Sequence, residues 1–306
     1  MKVFLFIFAL ASALFANGAG HAQDKGSVDP KPLPPLANPD DPKNPAKDLF
    51  GRKLTPANLQ ARAIGFYTRG CLAGGIALPV NGKNWQVMRL SRNRNWGHPE
   101  LIAFLERLAE KAPKVGWNGL LVGDLAQARG GPMLTGHASH QIGLDADIWL
   151  TPMPNRELTR LEREEMLATN VVRDDKLDVD PRIWTPGHVG IIKAAAEDPL
   201  VERILVNAAI KKALCRDARG DRTWLNKVRP WYWHNYHFHV RIGCPKDSPT
   251  CKPQPPTGEG DGCGAELAYW FQPKILRPPE PPSDRPRKHM TMSALPEECR
   301  QVLMAE

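Results

Sequence analysis

The most informative stretch of the sequence brings two histidines and two aspartates close together: Gly136-His137-Ala138-Ser139-His140-Gln141-Ile142-Gly143-Leu144-Asp145-Ala146-Asp147-Ile148-Trp149-Leu150. Its second half alternates, which predicts a strand with Asp145, Asp147 and Trp149 on one face and apolar residues on the other. Gly143 predicts a tight turn into that strand. His140 is therefore expected on a turn just before the strand that carries Asp147, and an imidazole and a carboxylate placed this way are typical metal ligands.

A second informative stretch lies far downstream, at 231–242. From His237 onward it alternates, which predicts a strand with His237, His239 and Arg241 on one face. Two unpaired imidazoles are costly to bury, so this face is not expected to be ordinary core. Together with the strand that carries Asp147, it could present a His, Asp, His set. Zinc takes such ligands, and a catalytic zinc keeps a fourth position for water.

These motifs resemble those of a known group of zinc peptidases. The spacing H-x(6)-D, followed by H-x-H at 237–239, resembles the zinc signature of the LAS peptidases, which include lysostaphin-type enzymes, D-Ala-D-Ala peptidases and hedgehog-like domains. Longer strings resemble one branch, the penicillin-insensitive murein endopeptidases, and they lie at 95–99, 136–147, 227–231 and 260–267. Together with the six cysteines, the resemblance covers nearly all of the mature chain.

The resemblance implies a zinc (Zn2+) site with three principal ligands, which are His140, Asp147 and His239. His137 is expected beside the metal, as a further ligand or as a neighbour of the ligands. Asp145 could accept the second N–H of a metal-bound histidine, but a structural role is expected for it instead. Some members of the family are thought to hold a second metal through an Asp and a His three residues apart. Asp174 matches that Asp, but Leu177 stands where the His would be, so a second zinc is not expected.

Two further histidines are the predicted catalytic residues. His237 shares a strand face with His239 and is the candidate acid–base group, and His234 is expected to contact the substrate or the transition state. The resemblance implies that the substrate is the peptide cross-link of peptidoglycan between D-alanine and meso-diaminopimelate. It also implies an activated water instead of a serine nucleophile, so penicillin has nothing to acylate. His98 is expected at a helix entry and His188 within a helix turn.

Two alternative functions stay open at this stage. One is a D,D- or L,D-carboxypeptidase, and the other is a non-catalytic wall-binding module that keeps a zinc site. The presence of His237 with the full ligand set argues against the second alternative. Trp231 and Trp233 are candidates to line a groove for a peptide or a glycan, although core packing is the commoner role of tryptophan.

The start of the chain predicts export. Lys2, an apolar run and small residues up to Ala22 predict a cleavable signal peptide at 1–22, a periplasmic location and no stable membrane insertion. The formal charge is +8, and removal of Lys2 with the signal leaves +7. In an exported protein this charge favours an acidic wall polymer as partner, here peptidoglycan, over nucleic acid. The sequence does not fix the oligomeric state.

The cysteines predict disulfides, because the expected destination is oxidising. None is in C-x-x-C spacing, so a zinc ribbon is not expected. Six cysteines allow fifteen pairings. The family resemblance implies one of these, with the bridges Cys71–Cys299, Cys215–Cys263 and Cys244–Cys251.

The sequence predicts a single zinc endopeptidase domain at 58–271 between two proline-rich ends. The N-terminal arm at 23–57 is expected to be extended and free of helix, and the tail at 272–306 is expected to be tethered by Cys299. Predicted helices lie at 99–112, 158–168, 185–195 and 208–215, and predicted strands at 120–122, 148–150, 204–207 and 237–242. This pattern predicts an α+β fold, with a small, mostly antiparallel sheet and surrounding helices. The resemblance implies that this is a disulfide-bridged LAS-type zinc peptidase core.

Overall fold

The alternating stretch that begins at Asp145 forms a strand near the middle of the main sheet. This strand, β8 (Asp145–Trp149), pairs antiparallel with β11 (His237–Ile242) on one side and with β7 (Leu120–Val122) on the other. All three strands lie where the apolar periodicity predicts them. The two motifs that carry the candidate metal ligands are therefore on neighbouring strands.

The computed structural model describes residues 24–276 and 289–306. The signal peptide predicted at 1–22 and the proline-rich run at 278–282 lie outside the described residues. Within the part of the chain that is described, every helix is too short or too polar to span a membrane.

Four further strands complete the main sheet, and they are β4 (Asn81–Gly82), β5 (Trp85–Val87), β9 (Val201–Val206) and β10 (Val228–Pro230). The order across the sheet is β10-β9-β11-β8-β7-β5-β4. The pairs β10–β9 and β5–β7 are parallel, and the other four pairs are antiparallel. The α+β class and the antiparallel majority agree with the prediction, but seven strands make a wider sheet than the small one expected. Three of these added strands have only two or three residues, which is too short for alternation to reveal them.

Two two-stranded sheets are separate from the main sheet. They pair β1 (Arg62–Phe66) with β2 (Arg69–Ala73), and β3 (Ile76–Ala77) with β6 (Trp96–Gly97). The α-helices are α1 (Ala46–Phe50), α2 (Pro99–Lys111), α3 (Arg160–Glu165), α4 (Pro186–Ala196), α5 (Ala208–Asp217), α6 (Ala265–Tyr269), α7 (Pro273–Leu276) and α8 (Glu298–Met304). Short 3-10 helices occupy Leu90–Arg92, Ala112–Val115, Thr223–Lys227 and Met292–Ala294. The predicted helices α2, α4 and α5 are all present, and His98 caps α2 by accepting a hydrogen bond from the Glu100 N–H.

The expectation that residues 23–57 contain no helix is wrong. This segment contains α1, which buries Ala46 and Phe50 in an apolar cluster. The proline before the helix, Pro45, is at its N-cap, so its missing N–H costs the helix nothing.

The helix predicted at 158–168 is longer than the helix observed. The helix α3 ends before Met166, whose backbone is extended. The Arg89 guanidinium donates hydrogen bonds to the backbone carbonyls of Arg163 and Met166, each 2.7 Å long. The carbonyl oxygens at the end of α3 therefore accept hydrogen bonds from a residue that is distant in the sequence, and the local sequence does not predict this contact.

The two faces of the central strands have different chemistry. One face buries Ala146, Ile148, Phe238 and Val240 in the main apolar core, to which residues of α2, α4 and α5 also contribute. The opposite face carries the polar residues of both motifs, which are Asp145, Asp147, His237, His239 and Arg241. All of these polar residues are buried, so each needs a partner at the site.

The two ends of the described chain meet in a second apolar cluster. It joins Phe50 of α1, Ile64 of β1 and Val302 of α8. The bridge Cys71–Cys299 fixes α8 to β2, and Cys215–Cys263 and Cys244–Cys251 are also present. The disulfide pairing implied by the family resemblance is confirmed.

Candidate metal centre

The strand register brings two of the predicted ligands face to face. In the β8–β11 pair, His239 lies directly opposite Asp147. The Nδ1 atom of His239 is 3.1 Å from Oδ1 of Asp147. Alternation places each residue on this face of its strand, and the pairing of β8 with β11 in this register brings the two side chains together.

The third predicted ligand, His140, reaches the same point from the turn before β8. Its backbone is left-handed, with φ of 65°, and its N–H donates a hydrogen bond of 2.9 Å to Oδ2 of Asp145. The Nε2 atom of His140 is then 3.1 Å from Nδ1 of His239 and 3.5 Å from Oδ1 of Asp147. Tetrahedral ligands that lie about 2.0–2.1 Å from zinc are separated from one another by roughly 3.3 Å. The three ligand atoms therefore have the spacing that a tetrahedral metal ion needs.

Asp145 orients both histidines of this set. Besides the hydrogen bond from the backbone of His140, Asp145 accepts hydrogen bonds from Nε2 of His239 at 3.0 Å and from Nε of Arg241 at 2.7 Å. Burial would raise the pKa of Asp145, but Arg241 and His239 hold it well below its usual range, so the group is a carboxylate. His239 can therefore donate its Nε2 proton to Asp145, which leaves Nδ1, on the side of His140 and Asp147, available to a metal ion.

The centre favours a positive charge. Burial lowers the pKa of His239, but Asp145 and Asp147 together raise it to about 9. Burial acts in the opposite direction on Asp147, yet His237 and the other nearby histidines keep the pKa of this carboxyl well below its usual range. A buried carboxylate pair that attracts a proton also attracts a metal cation, so the residues fit a bound metal ion.

His137 lies beside this set, as expected. Its Nε2 atom is 3.5 Å from Oδ2 of Asp147 and 3.1 Å from Oδ2 of Asp124. The ligand atoms of His137, His140 and Asp147 all lie within 4.8 Å of one another. One lone pair on Nε2 can bind a metal, or the protonated nitrogen can donate to Asp124, and the two roles exclude each other.

The two predicted catalytic histidines lie next to the ligands. Nε2 of His237 is 3.6 Å from Oδ1 of Asp147, and the ring centroids of His234 and His237 are 4.8 Å apart. Burial lowers the pKa of His237 to about 4, although Asp147 opposes that shift. Burial and the two neighbouring histidines also hold the pKa of His234 well below its usual range. Both rings are therefore neutral near pH 7 and can accept a proton.

An open cavity of about 740 Å³ reaches these groups from the surface. His137, His234, His237 and His239 line it, together with a wall of aromatic residues that are Trp231, Tyr232, Trp233 and Trp270. The side chains of Trp231 and Trp233 remain 53% and 52% exposed, so neither is a core residue. A peptide chain can therefore approach the centre along an apolar, aromatic wall.

Comparison with known proteins supports the resemblance seen in the motifs. The family model for penicillin-insensitive murein endopeptidases matches residues 63–304. The chain belongs to this family. Proteins named penicillin-insensitive murein endopeptidase are similar to it over most of their length.

Three such relatives represent the similarity. One from Haemophilus influenzae is 47% identical over 254 residues, which cover 82% of this chain and 86% of that protein. Relatives from Citrobacter koseri and from Escherichia coli O1:K1 are 44% and 43% identical over 253 residues, which cover 82% of this chain and 90% of each relative.

Sequence reasoning missed a group of charged residues behind His137. Asp124 lies two residues after the end of β7 and is bonded to Arg92 at 3.0 Å and to Arg94 at 2.9 Å. Burial would raise the pKa of Asp124, but Arg94 and His137 hold it well below its usual range. A lone aspartate after a short buried strand was the only signal in the sequence, because the arginines lie about thirty residues earlier.

The residues considered for a second metal lie apart from this centre. Asp174 lines a smaller cavity of about 220 Å³, next to Trp231 and Trp233. Leu177 is exposed to solvent.

Proposed function

We propose that this protein is a zinc-dependent murein endopeptidase that hydrolyses the cross-links between D-alanine and meso-diaminopimelate in peptidoglycan. The observation that carries the proposal is the convergence of His140, Asp147 and His239, with spacings of 3.1–3.5 Å, beside an open cavity that His239 lines. Membership of the murein endopeptidase family supports the substrate class. A LAS-type core is part of the same proposal.

The proposed zinc ligands are His140, Asp147 and His239, and His137 is either a fourth ligand or the hydrogen-bond partner of Asp124. When bound, zinc supplies a Lewis acid that activates water and polarises the scissile carbonyl. Asp145 keeps His239 in the tautomer that leaves Nδ1 free for the metal. This carboxylate therefore has an orienting role in the proposed mechanism.

His237 and His234 are the proposed catalytic residues. His237 is buried and His234 is partly buried, and both are neutral near pH 7 and line the cavity. We infer that His237 accepts a proton from water and returns it to the departing amine, since it lines the cavity and its Nε2 lies 3.6 Å from Oδ1 of Asp147 without being one of the proposed ligands. Nδ1 of His234 is 2.6 Å from the carbonyl of Tyr232, so it donates its proton there and directs Nε2 outward as an acceptor.

The location and organisation of the chain belong to the same proposal. The signal peptide at 1–22 would direct the protein to the periplasm, where its murein substrate and an oxidising environment are both found. The proposed division is a proline-rich arm at 23–57, a peptidase domain at 58–271 and a tail at 272–306 that Cys299 tethers. The disulfide framework supports export.

Digestion of purified murein sacculi tests the activity. Mass spectra of the muropeptides should show cross-linked dimers converted to monomers, and a chelator should abolish this conversion until zinc is restored. Penicillin should have no effect. Shortened stems with intact dimers would instead indicate a carboxypeptidase, and unchanged sacculi would indicate a non-catalytic module.

A further inference from the structure

Three arginines from neighbouring strands line the cavity beside the candidate metal centre. Arg203 of β9 lies directly opposite Arg241 of β11, and Arg229 of β10 lies opposite Leu205, two residues further along β9. Like charges directly opposite one another destabilise a strand pair unless a counter-ion compensates them. The three neighbouring positive charges are therefore an unfavourable arrangement for the sheet at this end of the cavity.

Two of the three arginines have a carboxylate partner. Arg241 is bonded to Asp145 at 2.7 Å, and Arg229 is bonded to Glu266 at 2.5 Å. Arg203 donates from Nη2 to the backbone carbonyl of Pro255 at 2.9 Å, and its buried Nε atom has no hydrogen-bond partner. Within residues 24–276 and 289–306, no carboxylate forms an ion pair with Arg203. Burial, and then the nearby charges of Arg241 and Arg229, lower the pKa of Arg203.

The position of Arg203 relative to the metal ligands indicates what it can bind. Leu205 lies opposite His239, so Arg203 is the diagonal neighbour of that histidine across the strand pair. Diagonal neighbours of this kind lie about 7–8 Å apart. At that distance from a metal ligand, the Arg203 guanidinium can reach a substrate group that lies within one residue of the scissile bond. An arginine with free donors matches a carboxylate especially well, because its planar fork can donate two parallel hydrogen bonds.

We propose that Arg203 binds the free carboxylate of the substrate residue on the amine side of the scissile bond. This inference rests on the proposed function. In the proposed cross-link, the carbon that bears the scissile nitrogen also bears a carboxylate, so that anion enters the site together with the reacting amide. Arg203 is thus a specificity-determining residue, and its missing counter-ion is provided by the substrate.

The test compares two cross-linked muropeptide dimers, one with the free carboxylate on that carbon and one with a carboxamide. The wild-type protein should cleave the carboxylate dimer with a kcat/KM about 10- to 100-fold higher. In Arg203→Gln, kcat/KM should fall by about that factor on the carboxylate dimer and change little on the carboxamide dimer, so that kcat/KM becomes similar for the two dimers. Arg203→Lys, which keeps the charge but not the fork, should fall between them. Arg182→Gln removes an exposed arginine outside the cavity and should preserve the wild-type ratio.

For each protein, the ratio of kcat/KM on the carboxylate dimer to kcat/KM on the carboxamide dimer measures substrate recognition alone. Incomplete folding or zinc loading lowers both values equally and leaves this ratio unchanged. Equal losses of Arg203→Gln on both dimers, or no loss on either, would overturn the role of Arg203. A wild-type protein that does not distinguish the dimers would overturn it without any variant. A wild-type protein that cleaves neither dimer would overturn the proposed function itself, and the role of Arg203 with it.

Discussion

At the scale of single residues, Asp145 connects the parts of the candidate metal centre. One of its oxygens accepts from the backbone of His140, and the other accepts from His239 and Arg241. The sequence favoured a structural role for this residue over that of a hydrogen-bond partner of a metal-bound histidine. Its contacts hold the backbone of His140 in place and fix the ring of His239, so the positions of both histidines depend on one carboxylate.

Replacing Asp145 with Asn should therefore weaken zinc binding by about 10- to 100-fold, because the amide no longer fixes His239 as strongly. Competition with a fluorescent chelator on the folded variant measures this. The matched control is Asp175→Asn, which removes an exposed carboxylate that is bonded to Arg173 and to the backbone N–H of Leu177. An Asp145→Asn protein with wild-type zinc affinity would contradict the orienting role.

The two histidines of β11 should respond differently to substitution. His239→Ala removes a proposed zinc ligand, so the protein should lose its zinc or hold it weakly. His237→Ala leaves the three proposed ligands in place and should keep zinc, but its hydrolysis of sacculi should fall by about 10²- to 10⁴-fold.

Metal analysis of both purified variants, together with activity measurements, tests this difference. A His237→Ala protein without zinc, or a His239→Ala protein at full zinc occupancy, would show that the two roles are assigned wrongly. Circular dichroism should be the same for both variants and for the wild type, since neither side chain lies in the main apolar core.

At the scale of secondary-structure elements, the start of α4 depends on a neutral histidine. His188 is buried between the rings of Trp117 and Trp184, with centroid distances of 4.8 and 4.9 Å. Its Nδ1 accepts from the Thr185 N–H at 3.1 Å, as glutamine does in a capping box. Its Nε2 donates to the carbonyl of Leu150 at 3.3 Å. Protonation of Nδ1 would break the cap.

The protein should therefore lose stability in mild acid through His188. Burial lowers the pKa of this histidine from 6.5 to about 4. As the pH falls from 6.5 to 4, the unfolded chain binds the proton and the folded chain does not, so the stabilisation present above pH 6.5 is lost. The pKa difference corresponds to about 3 kcal/mol of unfolding free energy.

The variant His188→Gln tests this prediction, because glutamine can accept the same hydrogen bond and does not titrate. Urea unfolding at pH 7 and at pH 4 should show that the wild type loses about 3 kcal/mol more than the variant over this range. Equal losses of unfolding free energy in the two proteins would mean that the pKa of His188 is the same in the folded and the unfolded protein.

At the scale of the whole molecule, the bridge Cys71–Cys299 joins residues 228 positions apart, whereas Cys244–Cys251 closes a loop of 7. Removing the long-range bridge with Cys71→Ser and Cys299→Ser should lower the free energy of unfolding by ~3 kcal/mol more than the matched double substitution at 244 and 251, since a longer loop restricts the unfolded chain more strongly. Urea unfolding of the two variants measures the difference.

A thiol titration of the unfolded, unreduced proteins is the control for that experiment. The wild type and both double variants should contain no free thiol, because every cysteine of the chain is paired. Reactive thiols in the wild type would refute the disulfide framework. Equal stabilities of the two variants would show that strain or residual structure outweighs loop entropy.

The sequence by itself determined the two strands that carry the motifs, and with them the faces on which Asp147 and His239 lie. Alternation has a period of two in every strand, so the side of a residue follows from its position in the chain. The helices α2, α4 and α5 were predictable in the same way, from apolar spacing and from the residues at their starts. The strings around the motifs carried the family resemblance, and that resemblance implied the disulfide pairing, which the cysteines by themselves left open.

Only the tertiary structure decided which strands are neighbours and which distant side chains meet. Several features depend on contacts between segments that are far apart in the chain. They are the two-residue strands, the early end of α3, the contact between Asp124 and Arg94, and the position of Arg203 opposite Arg241. No local pattern encodes such pairings, because they result from burying one continuous core. The chemistry of the candidate ligands was therefore visible in the sequence, whereas the charges that orient them and the uncompensated cation beside them were visible only in the fold.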